Sequence, residues 1–517
     1  MSTQTLLTLT PAQGYGLLFL YGLFMVAITW LFARWKAYRS IRGFLVAERN
    51  VPWWLGAASI AASWVWAPAL FVSVQIAYQK GLPGIFWFTF PNIVALLIYV
   101  FLAPRIREKL PHGFTLPQWI LYRLKSKRVH RVYLFPYFFY QLMAVSVQLF
   151  AGGSLVSLLT GIPLFSAMSF MAVTVLVYAF ISGLESSFVT DLVQFLLLII
   201  GVVLVVPWAI TSGGGWAAVV QGSGGVTGEF KDIFDPGVAF SFGIVTAIGL
   251  ISGAISDQQY WQRAFSIKKS NLVPSFIFGA IIFGIVPLAL STLGFLAANS
   301  GLGISLPPGA DVSMIGVATV SRLLPAWVMA IFVVMLLSAL YSTLDSGVVA
   351  ASSLYVTDVM RYTDQERQIL EKLDEGGQLE QAEAEIGKAL DVRGVRNARW
   401  AMLGITLCGF IVALAAKYIP HFGLEQLWWI FNTVAACVVV PTVLSLYWKG
   451  LDERGVFWGV LVASVVGMPL FIYSNMMNRP VWIVGVSLGI VGISLASCLA
   501  LSKSKRKGLE LSGATVA

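Results

Sequence analysis

The sequence predicts an all-α polytopic membrane protein of about 13 transmembrane helices, cored by two five-helix groups of opposite orientation. Three observations predict it. The 517-residue chain is 58% hydrophobic and only 11% charged, with a mean hydropathy of +0.81, so lipid must replace water over much of its surface. Thirteen apolar runs are long enough to cross hydrocarbon, roughly at residues 13–33, 54–79, 83–103, 132–158, 163–183, 189–211, 237–260, 272–297, 325–358, 400–418, 424–447, 455–474 and 480–501. The basic residues are one-sided: of 34 Lys and Arg, 29 fall on alternate loops and the C-terminal tail, and only Lys80, Lys231, Arg322, Lys417 and Arg479 fall on the other side. Cytoplasmic loops carry that excess, which puts the N-terminus outside and the C-terminus in the cytoplasm of a plasma or inner membrane.

Residues 1–53 form the first helix and a cytoplasmic linker. The first apolar run ends in Arg34, Lys36, Arg39 and Arg42, a stop-transfer pattern and not a cleavage site. Residues 54–211 hold the first five-span group and residues 237–447 the second, with a glycine-rich external loop at 212–236 between them. Residues 448–517 add two helices and a short basic tail. Span 2 enters from the cytoplasm and span 7 from outside, so the groups are inverted. Both open with an interrupted helix. In span 2, Pro68 has no N–H, so the carbonyl of Trp64 loses its helical partner. In span 7, Gly249 and Gly253 loosen the helix before Asp257. Interrupted helices at matching positions of inverted repeats point to a transport site at the membrane midplane. The cytoplasmic segment 361–399 is charged, with short surface helices expected at Gln365–Leu373 and Leu379–Leu390. It is too short to hold a kinase or nucleotide-binding domain.

Span 9 carries three serines, a threonine and an aspartate between Ser338 and Ser346, and polar groups at that depth require partners. At 100° per residue Ala339, Ser342 and Thr343 share one face. Together with carbonyls freed around Ala62 and Val65 in span 2, that face supplies five hard oxygens, a set suited to sodium. The competing reading is a small-residue packing seam at Ser338, Ser342 and Ser346, and the two stand about level. Between spans 5 and 6, Asp191 either receives a cation leaving inward or, with Ser187, caps span 6. After span 7, Asp257 and Gln258 are candidates for contact with a solute at the inner gate, whereas Trp261 and Arg263 fit an interfacial belt. Trp64 and Trp66 flank the break in span 2, either to stack on a ligand or to pack, and Gln141 in span 4 is a further candidate for the solute gate. Trp53 and Trp54 read as membrane-edge anchors. Cys408, Cys437 and Cys498 lie in apolar spans and His112, His130 and His421 are scattered, so neither a disulfide framework nor a zinc site is expected.

Four stretches resemble the sodium:solute symporter family, whose members include proline, sugar, pantothenate and urea carriers. They are Phe44 to Arg49, Gly183 to Gln194, Gln262-Arg263 and Ser342 to Ser346, within a likeness running over about residues 15–475. The resemblance implies a LeuT-like inverted-repeat core with one extra helix before it and two after. It also implies one sodium site on Ala62, Val65, Ala339, Ser342 and Thr343, with Asp191 near the inward exit. Trp64 stands where the proline carriers place an acid, and Gly253 where the sugar carriers place an aromatic gate. The run from Asp257 to Gln262 is most similar to the urea and polyamine branch.

The expected function is sodium-coupled symport of a small polar organic solute, of the urea, amino acid or carboxylate class. Sodium is the coupling ion, and no cofactor is expected. The alternatives are proton coupling through Asp257 or Asp345, and a solute sensor acting through segment 361–399. An enzyme is the least expected class, since no nucleophile–base pair, metal cluster or phosphate loop is visible in the sequence. The net charge of +10 reflects cytoplasmic loops and calls for no nucleic acid.

Overall fold

The computed structural model describes residues 9–35, 40–374, 380–419 and 423–502; Lys36, Arg39, His421 and the basic tail after Ser502 lie outside them. Twelve of the described helices are long and apolar enough to cross a membrane. The longest such stretch, Pro68–Lys109, contains two passes, which reconciles it with the thirteen expected. Helix α1 (Pro11–Trp35) is followed by α2 (Trp53–Trp64), α3 (Ser73–Leu97) and α4 (Tyr99–Lys109). A loop helix α5 (Leu116–Leu124) precedes α6 (Lys127–Thr160), α7 (Leu164–Ser182) and α8 (Leu184–Ser212). The second group begins with α9 (Ile244–Ser256) and α10 (Gln258–Ser266), then α11 (Leu272–Ala298) and α12 (Ala326–Leu354). After α13 (Asp364–Asp374) come α14 (Gln381–Ala416), α15 (Leu424–Tyr447), α16 (Glu453–Val462), α17 (Met468–Met476) and α18 (Pro480–Ser502).

Helix α11 serves as a ruler for the reversal inside α3. Gly279 lies against Ile60 and Gly294 against Val74 and Tyr78, so the chain climbs beside α11 from α2 into α3. Gly284 then faces Ile93, and Phe276 stacks on Tyr99 at 4.8 Å, so the same chain descends again. The turn between them is at Gly81, whose φ of +57° is a backbone conformation that suits glycine. At Gly294 a Cβ would stand 2.3 Å from the Val74 carbonyl oxygen. Gly294→Val is therefore expected to cost roughly 1–3 kcal/mol or more through forced separation of α11 and α3, read as a lower unfolding temperature in detergent.

Two local expectations are corrected. The surface helix expected at Leu379–Leu390 and the tenth span are one continuous 36-residue helix, α14, because no Gly or Pro signal strong enough to stop it intervenes. Gly249 and Gly253 do not break span 7: α9 runs unbroken to Ser256, and the interruption is at Asp257, whose backbone is extended. The glycines instead admit Asn432 and Tyr140 close to the backbone of α9.

Candidate functional site

The site starts where span 2 breaks. Helix α2 ends at Trp64, and the Val65 N–H turns back to the Ala61 carbonyl. The Ala67 N–H donates across to Gln148 Oε1 at 2.9 Å, and Pro68 has no N–H to give. The carbonyls of Ser63 and Trp64 thus lose the donors that a continuous helix would supply. Thr343 reaches one of them, its hydroxyl donating to the Ser63 carbonyl at 3.2 Å, with the Ala339 carbonyl 3.4 Å away. Spans 2 and 9 therefore meet at the break, with Ala62 and Val65 on one side and Ala339, Ser342 and Thr343 on the other, all buried. The oxygens gathered there are carbonyls and hydroxyls, a donor set that fits a hard monovalent cation.

Ser342 donates to Asp191 Oδ1 at 2.5 Å. Asp191 is not a helix cap. Helix α8 begins at Leu184 behind Gly183 with no side-chain cap, so Asp191 sits two turns inside it. Its other oxygen accepts from Ser59 at 2.5 Å and from Arg263 Nη2 at 2.9 Å. Arg263 also donates to Ser59 Oγ at 3.0 Å, Ser346 Oγ at 2.8 Å and the Gln259 carbonyl at 3.1 Å. Both charged side chains are fully buried, so each offsets the desolvation of the other. Arg263 and Trp261 accordingly do not form an interfacial belt: both are fully buried, and Trp261 donates to the Ile255 carbonyl at 2.7 Å. Sequence reasoning missed Arg263, Ser59 and Ser346 as site residues, since each reads locally as belt or packing. Asp345 is buried and takes a long 3.5 Å bond from Thr190.

Above the break lies a cluster of aromatic side chains. Trp64 and Trp66 stack at 5.2 Å, Tyr260 stands edge-on to Trp64 at 5.1 Å, and Phe431 packs on Trp66 at 4.9 Å and on Tyr140 at 4.1 Å. Gln141 donates to Asp257 Oδ1 at 3.0 Å, and that oxygen also takes the Gln259 N–H at 2.8 Å. Tyr140 Oη, Gln141 Oε1, Asn432 Oδ1, Gln148 Nε2 and Trp66 Nε1 are buried with no hydrogen-bond partner. The Asn432 amide is oriented by its Nδ2, which donates to the Trp428 carbonyl at 3.2 Å. A Cβ on Gly253 would lie 2.7 Å from Asn432 Oδ1 and 2.9 Å from Tyr140 Oη, so the two orphaned oxygens converge over one glycine. Tyr140 and Asn432 carried no sequence signal beyond lying in apolar spans.

Gln258 is not among these groups. It is spent on the loop before α5, donating to the Phe114 carbonyl at 2.9 Å and Ser353 at 3.3 Å and accepting from the Leu116 N–H at 3.3 Å. Arg49 and Arg107 grip neighbouring carbonyls, and Thr115 and His130 both bond Asp358, at 2.7 and 2.8 Å. This closes the face that carries most of the basic residues. At the opposite face a cavity of about 940 Å³ is lined by Gln75, Lys80, Asp311, Lys417, Glu425 and Trp429, among others. Hydrogen bonds thus tie the helices together at the basic face, and the cavity opens at the other.

The model of the sodium:solute symporter family matches residues 44–375. A urea-proton symporter, DUR3, of Oryza sativa subsp. japonica is 24% identical over 90% of this chain and 66% of its own length. A spermidine transporter, DUR31, of Candida albicans is 26% identical over 68% of this chain and 66% of its own. The chain spans about two thirds of the length of these relatives. Among solved structures, a Na⁺-coupled sialic acid symporter in a substrate-bound outward-open state superposes with a TM-score of 0.70 at 14% identity, covering 94% of this chain and 98% of that one. That likeness shows the fold: a LeuT-like core of two inverted five-helix repeats.

Proposed function

The chain belongs to the sodium:solute symporter family, a family of solute carriers and not of enzymes, and from that premise we propose that it is a secondary active transporter. It moves a small polar solute together with one sodium ion by alternating access. The observation that carries the reading is the Thr343–Ser63 contact at 3.2 Å, which sets the hydroxyl face of span 9 against the break of span 2. Sodium would be held by the carbonyls of Ala62, Val65 and Ala339 and the hydroxyls of Ser342 and Thr343. An ion there ties the broken helix to its neighbour, and its loss on the basic side frees the two to part. The basic side is the cytoplasmic one, and the N-terminus is outside, because 29 of 34 Lys and Arg lie there.

The solute is bound at the aromatic cluster, among Trp64, Trp66, Tyr140, Gln141 and Asn432, next to Asp257. Its walls are aromatic, and its orphaned atoms include both donors and acceptors, which suits a small, flat, uncharged solute. Urea is the first candidate, in keeping with the names of several relatives. A potential of 100 mV supplies roughly 2.3 kcal/mol per charge, enough for roughly fiftyfold accumulation of a neutral solute at one-to-one coupling.

The relative named a urea-proton symporter and the buried Asp257 carboxylate, held by Gln141 and the Gln259 N–H, favour one second reading, in which a proton takes the place of sodium. Proteoliposomes separate the two. Labelled urea uptake driven by an inward sodium gradient at equal pH on both sides is the expected result. Uptake that ignores sodium and follows a pH gradient overturns the ion assignment in favour of Asp257.

A further inference from the structure

The buried ion pair beside the cation seam has a consequence for how tightly that seam holds its ion. Asp191 and Arg263 are both fully buried, and Asp191 takes the Ser342 hydroxyl hydrogen at 2.5 Å. A hydroxyl binds a cation only through its lone pairs. With its hydrogen committed to Asp191, Ser342 keeps its lone pairs free for a cation. An ion on that oxygen would also be one hydroxyl away from a carboxylate. Left alone, that carboxylate would trap it. Arg263 cancels the charge through Asp191 Oδ2 at 2.9 Å, and it is held in place by Ser59, Ser346 and the Gln259 carbonyl.

We infer that the Asp191–Arg263 pair sets the charge of the coupling-ion site, Asp191 aiming the Ser342 lone pairs and raising affinity, Arg263 lowering affinity so that the ion can leave. This rests on the proposed sodium site between spans 2 and 9. Both are positioning residues, and their effects on sodium have opposite signs. The helices involved span both repeats: Ser59 from α2 and Asp191 from α8 belong to the first, Arg263 from α10 and Ser342 and Ser346 from α12 to the second. The pair therefore also reports on whether the repeats are closed against each other on the basic side.

The test is sodium-dependent thermal stabilisation of the purified full-length protein, with sodium-driven urea uptake as a second readout. Asp191→Asn keeps an oxygen for the Ser342 hydroxyl and removes the negative charge, leaving Arg263 unbalanced. Its sodium affinity is expected to fall roughly tenfold or more. Arg263→Gln leaves the carboxylate unbalanced, so sodium affinity is expected to rise roughly threefold or more while uptake turnover falls, because release is slowed. The charge-balanced double variant is expected to return to within roughly threefold of the wild type. Breaking a buried pair also lowers stability at zero sodium, so the quantity read is the increment that sodium adds. Single variants that move sodium affinity in the same direction, or a double variant as weak as Asp191→Asn, overturn the inference while leaving the sodium site standing. A wild-type protein whose stability and uptake both ignore sodium overturns the coupling reading and this inference with it.

Discussion

Ser342→Ala is expected to raise the sodium concentration for half-maximal uptake by roughly tenfold to hundredfold, with solute affinity at saturating sodium changed by no more than roughly threefold. The substitution removes one oxygen from the five groups proposed to hold sodium. It also leaves Asp191 Oδ1 without the hydrogen bond it now receives at 2.5 Å. Both losses fall on the proposed ion site and neither on the aromatic cluster. Thr343→Ala should act in the same direction and by a similar factor, because the Ser63 carbonyl loses its 3.2 Å partner across the break. Sodium titrations of urea uptake by the two variants decide the matter. A sodium curve that does not move in either one removes the seam between spans 2 and 9 from the coupling mechanism.

The second large effect is expected at Gly253. A Cβ there meets Asn432 Oδ1 at 2.7 Å and Tyr140 Oη at 2.9 Å, so Gly253→Val fills the point on which the two orphaned oxygens converge. Solute binding should be lost, a change of roughly a hundredfold or more once sterics and two hydrogen bonds are forfeited together. Sodium-induced stabilisation should persist, since the span 2–9 seam is untouched. Asn432→Leu separates shape from chemistry by removing the acceptor while keeping much of the volume, and it should weaken solute binding by roughly tenfold. Solute binding that survives Gly253→Val with unchanged affinity places the solute elsewhere.

These predictions differ in how far they were legible before folding. The Ser342 argument was available from residue spacing, because a helix of known pitch puts Ala339, Ser342 and Thr343 on one face wherever it sits. The break at Pro68 was equally legible, since a missing N–H is a covalent property. The Gly253 argument was not. Its glycines read as a loosening of span 7, yet α9 is unbroken, and their purpose depends on Tyr140 and Asn432 arriving from α6 and α15. The same holds for Arg263. Followed by charges and preceded by Trp261, it reads as a headgroup-level residue; only the position of Asp191, 72 residues earlier in the chain, draws it into the interior.

What the sequence determined by itself is what one helix can decide alone: which runs are long and apolar enough to cross the bilayer, where backbone donors are missing, and which side chains share a face. Apolar length, the Lys and Arg bias and helical pitch are local quantities, and lipid enforces them without reference to neighbours. What only the tertiary structure decided is which polar groups satisfy one another. Asp191 could cap its own helix or pair across the fold, and it pairs, because it lies two turns inside α8, away from the helix start, and Arg263 is brought to it from α10. Partner choice among buried polar groups depends on where other helices lie, and that information is spread over the whole chain.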